Sequence, residues 1–200
     1  MNELAQLFNV AGINTADVLE AAATKWNFAK YKPGLVGGHC VGVDPYYLMM
    51  LGDSLGQPLR LVSLARRVNE GMPKYVARRT IEALKASRRG LYAGARVAVL
   101  GCTFKEDVND LRNSKVFDLV RSLRARGCEV DVEDIVAAKY SALADDYHFP
   151  GVGEPCVDLR RQGTLEGQYD AVIGAVPHAR YREHFVASFN EILAPGGGVV

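Results

Sequence analysis

Residues 34 to 45, GLVGGHCVGVDP, place one thiol, Cys40, among four glycines with His39 beside it and Asp44 four positions on. A cysteine thiolate is the most effective nucleophile among side chains and attacks carbonyl carbon readily. Gly34, Gly37, Gly38 and Gly42 permit positive φ angles and close approach of a ligand to the backbone. Asp44-Pro45 reads as an N-cap followed by proline at the first helical position. Cys40 would then lie about one turn ahead of a helix N-terminus, where backbone N–H groups and the helix dipole favour a thiolate. Asp44 is the nearest acid, able to orient a water or relay a proton. His39 adjoins the cysteine directly, so its side chain points elsewhere and no Cys–His dyad is expected. The same stretch also reads as a glycine-rich turn around a buried thiol.

A second constellation lies at GCTFKEDVNDLRNS, residues 101 to 114, directly after the apolar run ARVAVL. A strand, a loop and a following helix form the usual nucleotide position of a doubly wound sheet. The loop has neither GxGxxG nor the P-loop pattern, so the glycine cradle for a pyrophosphate is missing. It offers Phe104, which could lie against a planar base, Lys105 as a point charge for phosphate, and Arg112, whose guanidinium can make two parallel hydrogen bonds. The alternative is that Lys105, Glu106, Asp107, Asp110 and Arg112 form a surface charge cluster.

Two element patterns must position these loops. The first part of the chain is helical: residues 2 to 11 with Leu4, Leu7 and Phe8 at helical spacing, a second helix after Gly12 capped by Thr15, and a short helix after Cys40. From about Arg60 to Ser87 one long helix is expected, with Pro73 as a kink or break. Its Arg66, Arg67, Arg78 and Arg79 read as a solvated face. Its apolar residues on more than one side suit packing against a second subunit. After residue 93 the pattern changes to alternating strands and helices: ARVAVLG, the amphipathic KVFDLVRSLRARG stopped by Gly127, CEVDVED, YDAVIGAV, ARYREHFVASFNEIL and a final strand opening at PGGGVV. That alternation implies a parallel sheet covered by helices. The fold class is therefore α/β, a helical domain over 1–93 with a long connecting helix, then a partial Rossmann-like sheet domain over 94–200.

Bulk properties narrow the function. The formal charge of +1 gives no general case for nucleic acid or an anionic membrane as partner. No apolar run approaches a membrane span, and Glu3 stands where a signal peptide would be basic. Four cysteines without a CxxC argue against a zinc ribbon and fit a reducing cytoplasm, and no metal site is expected. Cys102 and Cys128 read as small buried apolar residues, while Cys156 has no assignment.

TKWNFAKYKPGLVGGHCVGVDPYYL, residues 24 to 48, resembles the catalytic segment of the UDP-glucose/GDP-mannose dehydrogenase family, in the branch acting on UDP-N-acetylhexosamines. The UDP-glucose branch carries a proline and a lysine between the cysteine and the aspartate, where GVDPYYL follows here. GCTFKEDVNDLRNSK, residues 101 to 115, resembles the opening of the family's UDP-binding domain. The resemblance implies oxidation of a sugar C6 alcohol to a carboxylate with NAD, through a cysteine thiohemiacetal and thioester, in the making of surface polysaccharide precursors. It implies Cys40 as nucleophile and Asp44 as the acid that handles water. Tyr31, Lys32, Pro33, Gly34, Leu35, Val36 and Gly37 would wrap the substrate, Phe104 and Lys105 would contact it, and Arg112 would reach NAD. Lys25 lies near a position that reaches the neighbouring subunit's substrate in the related branch, so a homodimer is implied. The family's NAD-binding domain with GxGxxG, its active-site lysine and asparagine, and the end of the UDP domain are not in these 200 residues. The chain alone is therefore expected not to turn over. The other readings are an inactive module that pairs and binds UDP, and an unrelated cysteine hydrolase, for which a base histidine is not well placed.

Overall fold

The computed structural model describes residues 1–87, 90–137, 159–160, 165 and 167–200. Helices α1 (Asn2–Val10), α2 (Thr15–Ala23), α3 (Asp44–Ser54) and α4 (Arg60–Ser87) come first. Strands and helices then alternate: β1 (Arg96–Leu100), α5 (Val116–Arg124), β2 (Glu129–Glu133), β3 (Leu159–Arg160), β4 (Tyr169–Gly174), α6 (Ala179–Ile192) and β5 (Leu193–Val199). Cys156 lies outside the described residues.

Two helix starts differ from the sequence expectation by one residue. Asn14, not Thr15, caps α2: its backbone is extended and its side chain accepts the Ala16 N–H at 2.9 Å. Asparagine reaches the second helical N–H as well as threonine does, so the earlier residue takes the role. At α3 the capping position is Val43, and Asp44 and Pro45 already lie within the first turn. The α4 helix runs unbroken through Pro73. Proline there removes one backbone hydrogen bond, and burial of Met72, Pro73, Ala77, Ile81 and Leu84 along one face offsets the loss.

The sheet is parallel throughout, in the order β3-β2-β1-β4-β5. Strand alternation divides its core. Val97 and Val99 face α4 and α5, meeting Ala77, Ile81, Leu84, Leu119, Val120 and Leu123. Ala98 and Leu100 face the other way, toward Tyr181 and Phe189 of α6. Each fully buried Leu or Val here contributes about 1.5–3 kcal/mol, which makes the sheet and its helices the stable platform. Because β4 returns to the opposite side of β1 from β2, the chain reverses direction across the sheet between β1 and β4. Their C-terminal ends open the crevice where such sheets hold ligands. The final strand expected at PGGGVV is present as β5, starting earlier at Leu193.

Candidate active site

Gly101 ends β1 with φ +84, and a Cβ there would stand 2.5 Å from the Val176 carbonyl oxygen. The glycine thus lets the β1 and β4 loops close on each other, with Ala175 N–H donating to the Leu100 carbonyl at 2.9 Å. Beyond this point the 101–115 loop turns back over the cysteine segment.

The cysteine segment meets that loop through its glycines. A Cβ on Gly37 would lie 2.4 Å from the Asn113 carbonyl oxygen, and one on Gly38 would lie 2.9 Å from the Phe104 ring. A Cβ on Gly42 would lie 2.4 Å from the Gly38 carbonyl oxygen. Of the four glycines around Cys40, only Gly38 has a positive φ, at +96. At Gly37, Gly38 and Gly42 the missing side chains therefore admit other parts of the protein, whereas the sequence pointed to a ligand. A Cβ on Gly34 would meet nothing within 4 Å, so that position alone keeps the open space a ligand could use.

A groove of about 720 Å³ follows this junction. Lys32, Pro33, Gly34, Leu35, Val36 and Gly37 form one wall, Phe104 and Lys105 another, and Gly174 to Pro177 after β4 close the end. Six of the seven expected wrapping residues are thus brought together with the expected contact pair. Tyr31 instead lines an adjoining apolar groove of about 540 Å³ against α2, which shares Lys32 and Pro33 with the first. Cys40 is exposed and lies between two groove-lining residues, Gly37 and Val41, without lining the groove itself. Its carbonyl oxygen accepts the N–H groups of Val43 and Asp44 at 2.9 and 2.8 Å. The amides expected to face the thiol are thus bonded to the cysteine's own backbone. Asp44 and Lys25 are exposed. Arg112 is turned onto Asp110, its Nε and Nη2 donating at 2.6–3.0 Å. That guanidinium holds the Asp110 carboxyl below the usual carboxylate range.

Several residues of this region gave no sequence signal that was read. Arg66 is buried, its guanidinium over the Tyr46 ring at 5.4 Å and its Nη1 donating to the Val41 carbonyl at 3.2 Å. This corrects the solvated face assigned to it. Glu70 pairs with Arg66 and also with Lys115 at the start of α5. Burial pulls the Lys115 ammonium down, but Glu70 and Asp118 outweigh it and hold it above the usual range. Arg182 of α6 reaches the groove and pairs with Glu106.

Asp134, directly after β2, is buried with His178, the capping residue at the start of α6 after the β4 loop. Its carboxylate accepts the N–H groups of Cys102, Thr103, Val136 and Ala137. His178 Nδ1 accepts the Asp107 N–H at 2.9 Å, so Nε2 carries the ring proton and donates to Asp134 at 3.1 Å. Burial pushes the Asp134 carboxyl up, yet the His178, Cys102 and Ala137 donors together hold it well below the carboxylate range. Burial, then the Asp134 charge, push the Cys102 thiol well up, which leaves it inert as the sequence suggested. Position supplied the missed signal: residues just past parallel strands gather at the crevice. Here the first-loop amides that could cradle a phosphate are taken by Asp134. Among the described residues no group of three or more His, Cys, Asp or Glu could hold a metal ion. None of the described helices is long and apolar enough to cross a membrane.

Known proteins share this fold. The model of the UDP-glucose/GDP-mannose dehydrogenase family central domain matches residues 1–71, and that of the family's UDP binding domain matches residues 98–197. The chain is 44% identical over 182 residues to a UDP-N-acetyl-D-glucosamine 6-dehydrogenase of Pseudomonas aeruginosa, covering 91% of this chain and 40% of that protein. A Salmonella typhi protein of the same name is 38% identical over 92% of this chain and 40% of its own length. Among solved structures, a UDP-glucose dehydrogenase from the archaeon Pyrobaculum islandicum superposes with a TM-score of 0.73 at 30% identity, over 100% of this chain and 42% of that one. The chain thus spans about 40% of the length of the curated relatives it matches. With two adjoining domain models matched in order and the fold shared with solved members, the chain belongs to the UDP-glucose/GDP-mannose dehydrogenase family.

Proposed function

We propose that this chain is the cysteine-bearing and UDP-binding part of an NAD-dependent UDP-N-acetylhexosamine 6-dehydrogenase of the cytoplasm, which oxidises the sugar C6 alcohol to a carboxylate. Residues 1–93 form its pairing and cysteine domain and residues 94–200 its UDP domain. The observation that carries the reading is the groove in which Lys32–Gly37 meet Phe104 and Lys105, with Cys40 in the turn between the lining residues Gly37 and Val41. Phe104 offers a face for the uracil ring, and Lys105, Lys32 and Arg182 offer cations for the diphosphate. The sugar C6 then falls toward the Gly37–Val41 turn.

Cys40 adds to the C6 aldehyde: sulfur bonds to carbon and the thiol proton passes to the former carbonyl oxygen, giving a thiohemiacetal. After oxidation to the thioester, a water oriented by Asp44 attacks the acyl carbon. The C–S bond breaks, the carboxylate leaves and the thiol regains a proton. Covalent capture keeps the aldehyde in place between the two oxidations.

NAD, when bound, would supply the hydride acceptor for the two oxidations. The described residues do not build its cradle, because Asp134 holds the β1-loop amides and Arg112 is paired with Asp110. By itself the chain is a UDP-sugar-binding and pairing module.

Exchanged for the matched 182-residue stretch of the Pseudomonas aeruginosa relative, the chain is expected to support NADH formation from UDP-N-acetylglucosamine or its galacto epimer. Cys40→Ala in the same graft should bind the UDP-sugar and yield no NADH. Turnover by that variant would remove Cys40 from its role.

A further inference from the structure

Gly34 and Val36 sit in the groove wall outside any strand, yet both of their peptide groups are paired. The Gly34 N–H donates to Asn2 Oδ1 at 2.9 Å, and Asn2 Nδ2 donates to the Gly34 carbonyl at 3.1 Å. Two residues on, the Val36 N–H donates to Asn69 Oδ1 at 3.2 Å, and Asn69 Nδ2 donates to the Val36 carbonyl at 2.8 Å. Each asparagine thus presents one acceptor and one donor to one residue, as a neighbouring strand would. The two come from different helices, Asn2 from the start of α1 and Asn69 from the middle of α4. Asn69 is buried, and Arg66, one turn before it, holds the Val41 carbonyl on the far side of Cys40.

We propose that Asn2 and Asn69 are positioning residues for the groove: paired amide clamps that fix Gly34 and Val36 against α1 and α4. They thereby set Lys32 and Pro33 on one side, and the Gly37–Cys40 turn on the other, relative to Phe104 and Lys105. The role rests on the reading of this groove as the UDP-sugar site and deepens it. Neither asparagine lines the groove, so both act through the backbone they hold. Amides carry no titrating proton, which keeps the wall in register at any pH the fold tolerates. An aspartate at either position would keep the acceptor, lose the donor and set a charge against a carbonyl oxygen.

Hydrogen–deuterium exchange on the 200-residue chain tests the clamps without any ligand. Asn2→Ala and Asn69→Ala are each expected to speed exchange over residues 34–41 by about tenfold, while β1 and β4 peptides keep their wild-type rates. Asn69→Asp, which keeps the acceptor for the Val36 N–H but sets a charge against the Val36 carbonyl, should also speed exchange over residues 34–41. Unchanged rates over 34–41 in both alanine variants would overturn the proposal. So would an equal rise in the sheet, which would mark Asn69 as a general stabiliser. Asn2 lies at the edge of the molecule, so its variant carries the test if Asn69→Ala does not fold. Shielding of Cys40 from iodoacetamide by UDP-N-acetylglucosamine gives the second readout. Wild type should be shielded, and the alanine variants should need about tenfold more ligand. An unshielded wild type would count against the UDP-sugar reading and leave the exchange result to judge the clamps.

Discussion

Acid should act on this protein chiefly through a single residue, the buried Asp134. Its folded carboxyl binds a proton less readily than it does in the unfolded chain. The stabilisation is therefore complete above the unfolded value of about 3.9 and is lost as pH falls from there through the folded value. Asp134→Asn is expected to lose about 3 kcal/mol at neutral pH, because four backbone donors and His178 lose their charged acceptor. It should also flatten the acid limb of a plot of urea midpoint against pH, and an unchanged limb would show that other carboxylates set it. Gly38 carries a different constraint. Gly38→Ala forces an L side chain to φ +96 and against the Phe104 ring, and should lower stability by about 1–3 kcal/mol in urea unfolding. Cys40 stood out in the sequence as a candidate because a lone thiol among glycines is rare. The purpose of its glycines was not, because a sequence does not say whether backbone or ligand will fill the space a side chain leaves.

The long helix α4 serves three partners along one side. Arg66 reaches the cysteine turn, Asn69 the groove wall, and Glu70 the first turn of α5. Its last turns, with Ala77, Ile81 and Leu84, belong to the core of the sheet. A double-mutant cycle with Glu70→Gln and Lys115→Met should give a coupling of about 1 kcal/mol in chemical unfolding, a modest value because Glu70 is partly solvated. A coupling near zero would mean that apolar packing alone joins α4 to α5. Periodicity predicted this helix, and the β–α alternation predicted the sheet, since both follow from the apolar pattern. The burial of Arg66 did not show, because an arginine in a helix reads as solvated until a neighbouring loop covers it. The two-residue strand β3 is too short to carry a pattern at all.

At the scale of the molecule, the exposed large apolar side chains among the described residues are concentrated on the helical part. Tyr47, Met50, Leu51 and Leu55 of and after α3 are exposed, and Leu61 at the start of α4 is 83% exposed. Large apolar faces of this kind belong to interfaces, and the proposed homodimer uses them. Sedimentation equilibrium is expected to give a dimer, and Leu51→Arg together with Leu61→Arg should give a monomer whose sheet still unfolds cooperatively. A wild-type monomer at micromolar concentration would remove the pairing role. The purified chain should also form no NADH from UDP-N-acetylhexosamines, and measurable turnover would show a dinucleotide site within these 200 residues. Domain order and the family were both legible, because the cysteine and FKED motifs lie far apart and agree. The second groove beside α2 was not, since it arises only where Phe28 and Tyr31 fold back on that helix.

The contact of Gly37 and Gly38 with Asn113 and Phe104 bears on how product can leave. At Gly37 backbone is pressed on the Asn113 backbone, so that contact cannot open by a change of side-chain rotamer, whereas Gly38 rests on the Phe104 ring. The cysteine turn and the 101–115 loop are therefore expected to move together. In the proposed reaction, product release would then proceed at the other rim, where Lys32, Lys105 and Arg182 are exposed. In the proposed enzyme, crosslinking that rim, with the glycine junction left untouched, should trap the product.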